Sequence, residues 1–491
     1  RLSEKHVALF GVGGVGGYMT TLVDSSYHIG GDINGTSYVG GLVGYTTSFV
    51  ANSYSEGDVI GIGNNVGGLI GFAFGKFYAS MPILENSRAF GNVKGFDYIG
   101  GLIGQDSVRN LMIRYIHNSH SQGRVEGNMY VGGVIGKLNY NMSSSNTNDT
   151  FIGQIISSGH SDGDVTGMSN YVGGVAGYFN GFIDSCYHVG GDVVGDGNYV
   201  GGLVGLSLYY FWRFNSNSPE NISALSNSYV SGNVKGEDYV GGLVGLDSIY
   251  IVYAPSIDVN RYIRNSYSQG TIEGKKYVGG LVGKSNYEVA GSSSNKKFSG
   301  EIVSSYHSDG NVIGTQDYVG GIAGDVYESI DSCHHAFGDV NGAGYVGGLA
   351  GKSSTITNSY SEGDVFGTKS YVGGLVGSGN VSKSYVKGAV RSDSSHVGGV
   401  AGSGSIDSSY HIGGSVRGAG YVGGLTGDSK VTNSYSEGDV IGLKSYVGGL
   451  SGSGGVSKSY AKGSVRSDSS YVGGVTGAGI VDSSYHIGGD I

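Results

Sequence analysis

Apolar positions in this chain recur as part of one short pattern, Tyr-Val-Gly-Gly-aliphatic-small-Gly, written in full at Tyr446-Val447-Gly448-Gly449-Leu450-Ser451-Gly452. Its branched residue stands at Val12, Val39, Val66, Ile99, Val131, Val172, Val200, Val240, Val278, Val319, Val346, Val372, Val397, Val422, Val447 and Val472. The last five are spaced by 25 residues. That is the length of one turn of a parallel β-solenoid whose coils stack about 4.8 Å apart. Within a coil, apolar alternation and turn residues predict three short strands: around Ser26-Tyr27-His28, around Gly31-Asp32-Ile33, and from Tyr38 to Gly44. Val447 and Leu450 lie three apart, where a plain strand places inward residues two apart. A bend or bulge at Gly448-Gly449 resolves this, glycine allowing positive φ and close approach of the coil above. A phosphate-cradling reading of the glycines fails, because such a loop occurs once, between a strand and a helix, and the regular coils have no helical period.

The Gly-Leu-aliphatic-Gly core appears literally as Gly41-Leu42-Val43-Gly44 and Gly374-Leu375-Val376-Gly377. In this the chain resembles the GLUG repeat over nearly its whole length. The resemblance implies a large secreted or surface-anchored microbial protein, often adhesin-like, with a β-helical stalk. It is specific for the repeat type and weak for activity.

Length variation is confined to one part of the coil. From the Tyr-equivalent residue (Tyr54, Tyr385, Tyr435) to the next motif valine the distance is 11 to 13 residues; from the motif's last glycine to the next Tyr-equivalent it runs from 8 to 24. Insertions follow Gly71, Gly104, Gly136, Gly205, Gly245 and Gly283, and therefore project from one corner. Pro82, Pro219 and Pro255 all fall in them, as expected of a residue that cannot donate to a ladder. The boundaries expected are an incomplete first coil over 1–23, coils with long insertions over 24–351, and regular coils over 352–491, in one domain. Residues 91–191 match 232–338, with an offset of 141 growing to 147, and a 75-residue unit repeats near the C-terminus, so the chain reads as grown by duplication.

Gly 98 in 491 residues would point to collagen or disorder if it were strictly periodic by three or aperiodic, and it is neither. A net charge of -10 with scattered Lys and Arg argues against nucleic acid. No run of eighteen apolar residues offers a membrane span. The chain begins at Arg1 with neither Met nor a signal peptide, and reads as a processed or partial product. Cys186 and Cys333 occupy equivalent places four coils apart, about 19 Å along the axis, and are expected to be buried free thiols.

The Tyr-His pairs at Tyr27-His28, Tyr187-His188, Tyr306-His307, Tyr410-His411 and Tyr485-His486 invite a metal reading. Most recur three or more coils apart, too far for shared ligation, so stacked polar and aromatic ladders are expected instead. His334-His335, adjacent on a strand, should point to opposite faces. Glu56/Asp58, Glu362/Asp364 and Glu437/Asp439 have the spacing of an acid-base pair on a β-helix, about 7 Å on one face. A catalytic pair is normally unique, whereas this one recurs. No catalytic residue, metal or cofactor is expected, a polysaccharide-cleaving enzyme being the least favoured reading. Sequons at Asn34, Asn141, Asn148, Asn221 and Asn380 are compatible with export.

The candidate binding residues are aromatic and lie in the insertions: Phe72, Phe74, Phe77, Tyr78, Tyr209, Tyr210, Phe211, Trp212, Phe214, Tyr250 and Tyr253. Concentrated rings mark a contact surface for glycan or protein, or else a satellite core folded back on the coils. The fold expected is an all-β parallel β-solenoid of about sixteen coils, a rod of roughly 75 Å. The function expected is an extracellular or cell-surface structural rod or fibre, the alternative being an adhesin. Asp482–Ile491 repeats Asp24–Ile33 and stops before a motif strand, while residues 7–17 are such a strand alone. This leads to an expectation of head-to-tail self-association.

Overall fold

A computed structural model describes residues 11–75, 81–108, 113–140, 152–213, 220–253, 257–289 and 296–491. The chain is an all-β parallel solenoid, with no helix among the described residues. It divides into two compact units, Arg1–Gly197 with Leu203–Arg213, and Asn198–Gly202 with Phe214–Ile491.

A coil of the second unit runs through Val372–Gly373, Val376–Ser382, Tyr385–Lys387 and Val390–Ser392. Each strand pairs in parallel with its counterpart one coil on: Val372 with Val397, Val376 with Ala401, Val381 with Ile406, Tyr385 with Tyr410, and Val390 with Val416. The first unit repeats the scheme, with Val39 opposite Val66, Val43 opposite Ile70, Val50 opposite Leu84, Tyr54 opposite Arg88 and Val59 opposite Val93.

The expected strand from Tyr38 to Gly44 runs as two strands, Val39–Gly40 and Val43–Thr46, and Val50–Ala51 adds a further one, so this coil carries five short strands rather than three. The break falls at the glycine pair, and its cause is close approach. A Cβ on Gly448 would overlap the carbonyl oxygen of Ser451 in its own coil, and one on Gly449 would overlap that of Gly474 in the next. The left-handed backbone belongs to the residue before the motif valine, since Tyr446 has φ 68° and its counterparts Tyr318 and Tyr371 have φ 68° and 67°. A side chain there costs on the order of 1 kcal/mol. The motif rings offset this by stacking, 4.7 to 5.0 Å apart from Tyr199 to Tyr471, with His396 taking one place.

The interior is filled by the motif valine, the residue after the glycine pair, and the valines of the remaining strands; Val447, Leu450, Val440 and Val456 are all buried. Each contributes about 2 kcal/mol of apolar burial. A column of buried serines lines the bend before the tyrosine strand. The N–H of Ser359 donates to Ser384 Oγ one coil on, and Ser384 Oγ–H donates to the carbonyl of Ser382. Cys186 and Cys333 stand in this column as buried free thiols.

The insertions extend the same strands outward as paired legs. Ile103–Val108 lies on Ile70–Gly75, and Ile113–His117 on Met81–Glu85, all in parallel. In the second unit Val244–Tyr253 pairs with Val282–Val289, and Ile257–Arg264 with Lys296–Val303. Pro82 lies within a strand despite its missing donor. The partner strand on one side, Val50–Ala51, reaches only Leu84 and Glu85, and on the other the register shifts between Pro82 and Leu84.

Candidate functional site

The candidate aromatics that fall among the described residues lie on the legs of the insertions. Along Ile70–Gly75 burial alternates, with Ala73 inward and Phe72 and Phe74 half-buried on the outer side. Phe72 stacks on Tyr45 at 5.2 Å and meets Tyr38 edge-on at 5.7 Å. Tyr209 is buried, 4% exposed, and Tyr250 is half-buried. Tyr210, Phe211 and Trp212 continue the strand Val204–Arg213 and Tyr253 ends Val244–Tyr253, their side chains lying outside the described residues, as do Phe77, Tyr78 and Phe214 altogether. The structure thus joins Phe72 to Tyr38 and Tyr45 and sets Tyr209 inside its arm.

In each unit the stacked insertion legs, its arm, also enclose a charge pair that the sequence reading missed. Arg114 donates through Nη2 to Asp106 Oδ1 at 2.8 Å and through Nε to Oδ2 at 3.2 Å, both residues being buried. Arg261 donates through Nη2 and Nε to Asp247 Oδ1 at 2.7 and 2.8 Å, and Tyr287 Oη donates to Asp247 Oδ2 at 3.3 Å. Burial, with Asp247 beside it, holds the Tyr287 hydroxyl well above its ordinary pKa. The signal was present in the duplication: Asp106 recurs as Asp247 at offset 141, and Arg114 as Arg261 at offset 147.

The tyrosine strands separate the Tyr-His pairs by face. Outward rings stack from Tyr229 to Tyr485 at 4.8 to 5.7 Å, with His334 in one place. Inward, His335 is fully buried, so the adjacent histidines do take opposite faces. The expected separation of three or more coils does not hold inside. His160 stacks on His188 at 5.3 Å and His307 on His335 at 5.1 Å, because a glycine at 159 and a histidine at 334 stand where the tyrosine of the pair was sought. The Nε2–H groups of His160, His188, His307 and His335 donate to the carbonyls of Gly163, Gly191, Gly310 and Gly338 at 3.0 to 3.2 Å. Burial lowers all four, to about 3 for His160 and His307 and about 4 for His188 and His335.

Five of the recurring carboxylates bond to the coil that follows. Asp364 Oδ1 accepts the N–H of Ala389 at 2.7 Å and Asp439 Oδ1 that of Ser464 at 2.8 Å. Asp58 Oδ1 accepts the N–H of Asn92 at 2.7 Å. Glu362 pairs with Lys387 at 2.7 Å and Glu437 with Lys462 at 3.5 Å. Among the described residues no three His, Cys, Asp or Glu side chains are grouped to hold a metal ion, and no helix is long and apolar enough to cross a membrane.

Two clefts lie on the face of the strands that follow the tyrosine strands. In the first unit one of about 540 Å³ is lined by Asp58, Lys94, Arg124, Glu126 and Asp164 among others. Its charges neutralise one another: Lys94–Glu126 3.1 Å, Arg124–Glu126 3.2 Å, Arg124–Asp164 3.5 Å. In the second unit one of about 520 Å³ is lined by Asn341, Phe366, Arg391 and Arg417 among others.

Fold and ladders together define a β-solenoid repeat protein. Comparison of the chain with protein-family models, with curated proteins and with solved structures finds no match.

Proposed function

We propose that this chain is an extracellular structural repeat protein of the kind its GLUG resemblance implies, whose coils serve as a rod or fibre. The observation that supports this best is the direction of the polar contacts. Ser384 receives its hydrogen bond from the coil before, Asp364 bonds to the coil after, and Glu362 pairs with Lys387 one coil on. Side chains that an enzyme would leave free for substrate are committed here to holding one coil on the next. The same parallel edge pairing would stack one molecule on another, so self-association into filaments belongs to this reading. Electron microscopy of purified protein at micromolar concentration tests it. Rods or filaments are expected, and compact isodiametric particles would overturn it.

A second reading, a surface adhesin that holds glycan or protein on its insertion arms, is favoured by the half-buried outward rings of Phe72, Phe74 and Tyr250. Glycan-array binding before and after substitution of Phe72 and Phe74 by serine decides it. Unchanged binding removes the arms from consideration.

A further inference from the structure

We infer that the cleft carried by Phe366, Arg391 and Arg417 in the second unit binds an acidic sugar chain, its uronate carboxylates or sulfates held by the two guanidiniums. The inference is independent of the scaffold reading, and it concerns coils without insertions.

The argument starts from one outward column. Along the strands that follow the tyrosine strands, the middle residue faces solvent, and charges there are normally answered by the next coil. Lys94 meets Glu126 at 3.1 Å, Lys235 meets Glu273 at 3.0 Å, and Arg466 reaches Asp490 at 3.5 Å. Arg391 and Arg417 break this rule. They are exposed and in direct register, Phe366 opposite Arg391 and Arg391 opposite Arg417, with Ile441 following. Among the described residues no carboxylate forms an ion pair with either; Asp393 lines the same cleft and pairs with neither. Like charges set side by side on neighbouring strands destabilise the pairing. An anion between them removes that repulsion, and the guanidinium fork suits a carboxylate or sulfate in two-point contact.

The rest of the cleft says what carries the anion. Arg391 lies over the Phe366 ring at 5.6 Å from its centroid. The ring fixes the guanidinium and leaves the half-buried aromatic as an apolar wall. Thr315, Asn341 and Thr368 line the same cleft with neutral hydrogen-bonding groups. Two cations, one ring and several hydroxyl and amide groups match a hydroxyl-rich chain that also carries carboxylates or sulfates. A bare phosphate would use the two cations and leave the ring and the neutral groups unengaged. The corresponding cleft of the first unit serves as an internal control, since its Arg124 is already answered by Glu126 and Asp164.

Calorimetric titration of the whole chain at low ionic strength tests the assignment. The probes are an oligogalacturonate, a sulfated dextran oligosaccharide, neutral dextran of the same length, a phosphopeptide and single-stranded DNA. Binding of at least one acidic sugar is expected, with no binding of neutral dextran and affinity falling as salt rises. Arg391→Gln and Arg417→Gln should each weaken it at least about tenfold, because each removes a charge-assisted contact. Arg124→Gln should leave it unchanged. All three side chains are exposed, so melting curves should match the parent and exclude misfolding. Preference between galacturonate and sulfate tells which anion the cleft takes. The inference is overturned if neither acidic sugar binds, if both arginine variants bind as the parent does, if neutral dextran binds equally, or if the phosphopeptide or DNA binds more tightly than both sugars.

Discussion

The rings of His307 and His335, one coil apart, stack at 5.1 Å with an interplanar angle of 1°, both fully buried. Burial first, and then mutual repulsion for His307, lowers them to about 3 and about 4. Their folded pKa values lie below the unfolded value near 6.5, so the unfolded chain binds protons that the folded one refuses. The stability they leave intact is therefore full above about pH 6.5 and is lost as pH falls towards 4 and 3. His160 and His188 add to the same window in the first unit. Melting temperature should drop steeply between pH 6.5 and 4, and His335→Gln should flatten that drop. A profile level from pH 7 to 4 would contradict the neutral, buried assignment.

The Asp247–Arg261 pair is buried on both sides. Asp247→Ala strands a guanidinium in the arm and should cost about 3 to 5 kcal/mol, whereas replacing both partners by apolar residues of similar volume should cost little. Denaturant titration of the two variants measures this. Equal losses would mean that the arm holds the pair loosely and wet.

Glycines in the bend and at the corner that carries insertions in other coils should respond differently. Gly449→Ala drives a methyl into the Ala461 side chain and the Gly474 carbonyl, while at Gly455 an added Cβ meets only the Ile480 carbonyl at 3.8 Å. The first should cost about 1 to 3 kcal/mol and the second nearly nothing. Thermal melts read both, and a neutral Gly449→Ala would show that neighbouring coils part more easily than their contacts imply.

Cys333 occupies a serine place: it receives the N–H of Ser305 and its thiol donates to the carbonyls of Asp331 and Ile302 at 3.2 and 3.3 Å. Burial pushes that thiol up to about 12. Cys333→Ser should be nearly neutral, and Cys333→Val should lose about 1 to 3 kcal/mol by orphaning the Ser305 N–H. In the native protein neither thiol should react with a disulfide reagent, and both should react in denaturant.

The winding of the chain was legible because Val447 and its counterparts repeat at one coil length, and a parallel stack places identical residues over one another. Register follows from that single fact, and with it the opposite faces of His334 and His335. The bend at the glycine pair was legible from the three-residue spacing of Val447 and Leu450, but its backbone conformation was not. Residue type gives no warning that Tyr446, rather than the glycine pair two residues on, takes the left-handed backbone. The enclosed Asp106–Arg114 pair was obscured for another reason: charged residues in an insertion rich in rings read as surface until the strand alternation is known. Arg391 and Arg417 were present in the sequence as two scattered cations, and only the register makes them neighbours.

Because each coil is bonded to the next across its flat face, a force drawn along the stacking direction loads the hydrogen bond from Val372 N–H to the His396 carbonyl and its companions end-on, one row at a time. Coils would then peel in order instead of failing together, and each 25-residue turn would release about 85 Å of extended chain. Over its regular coils such a molecule behaves under tension as a ratcheted tether that yields in equal increments and dissipates work at each one.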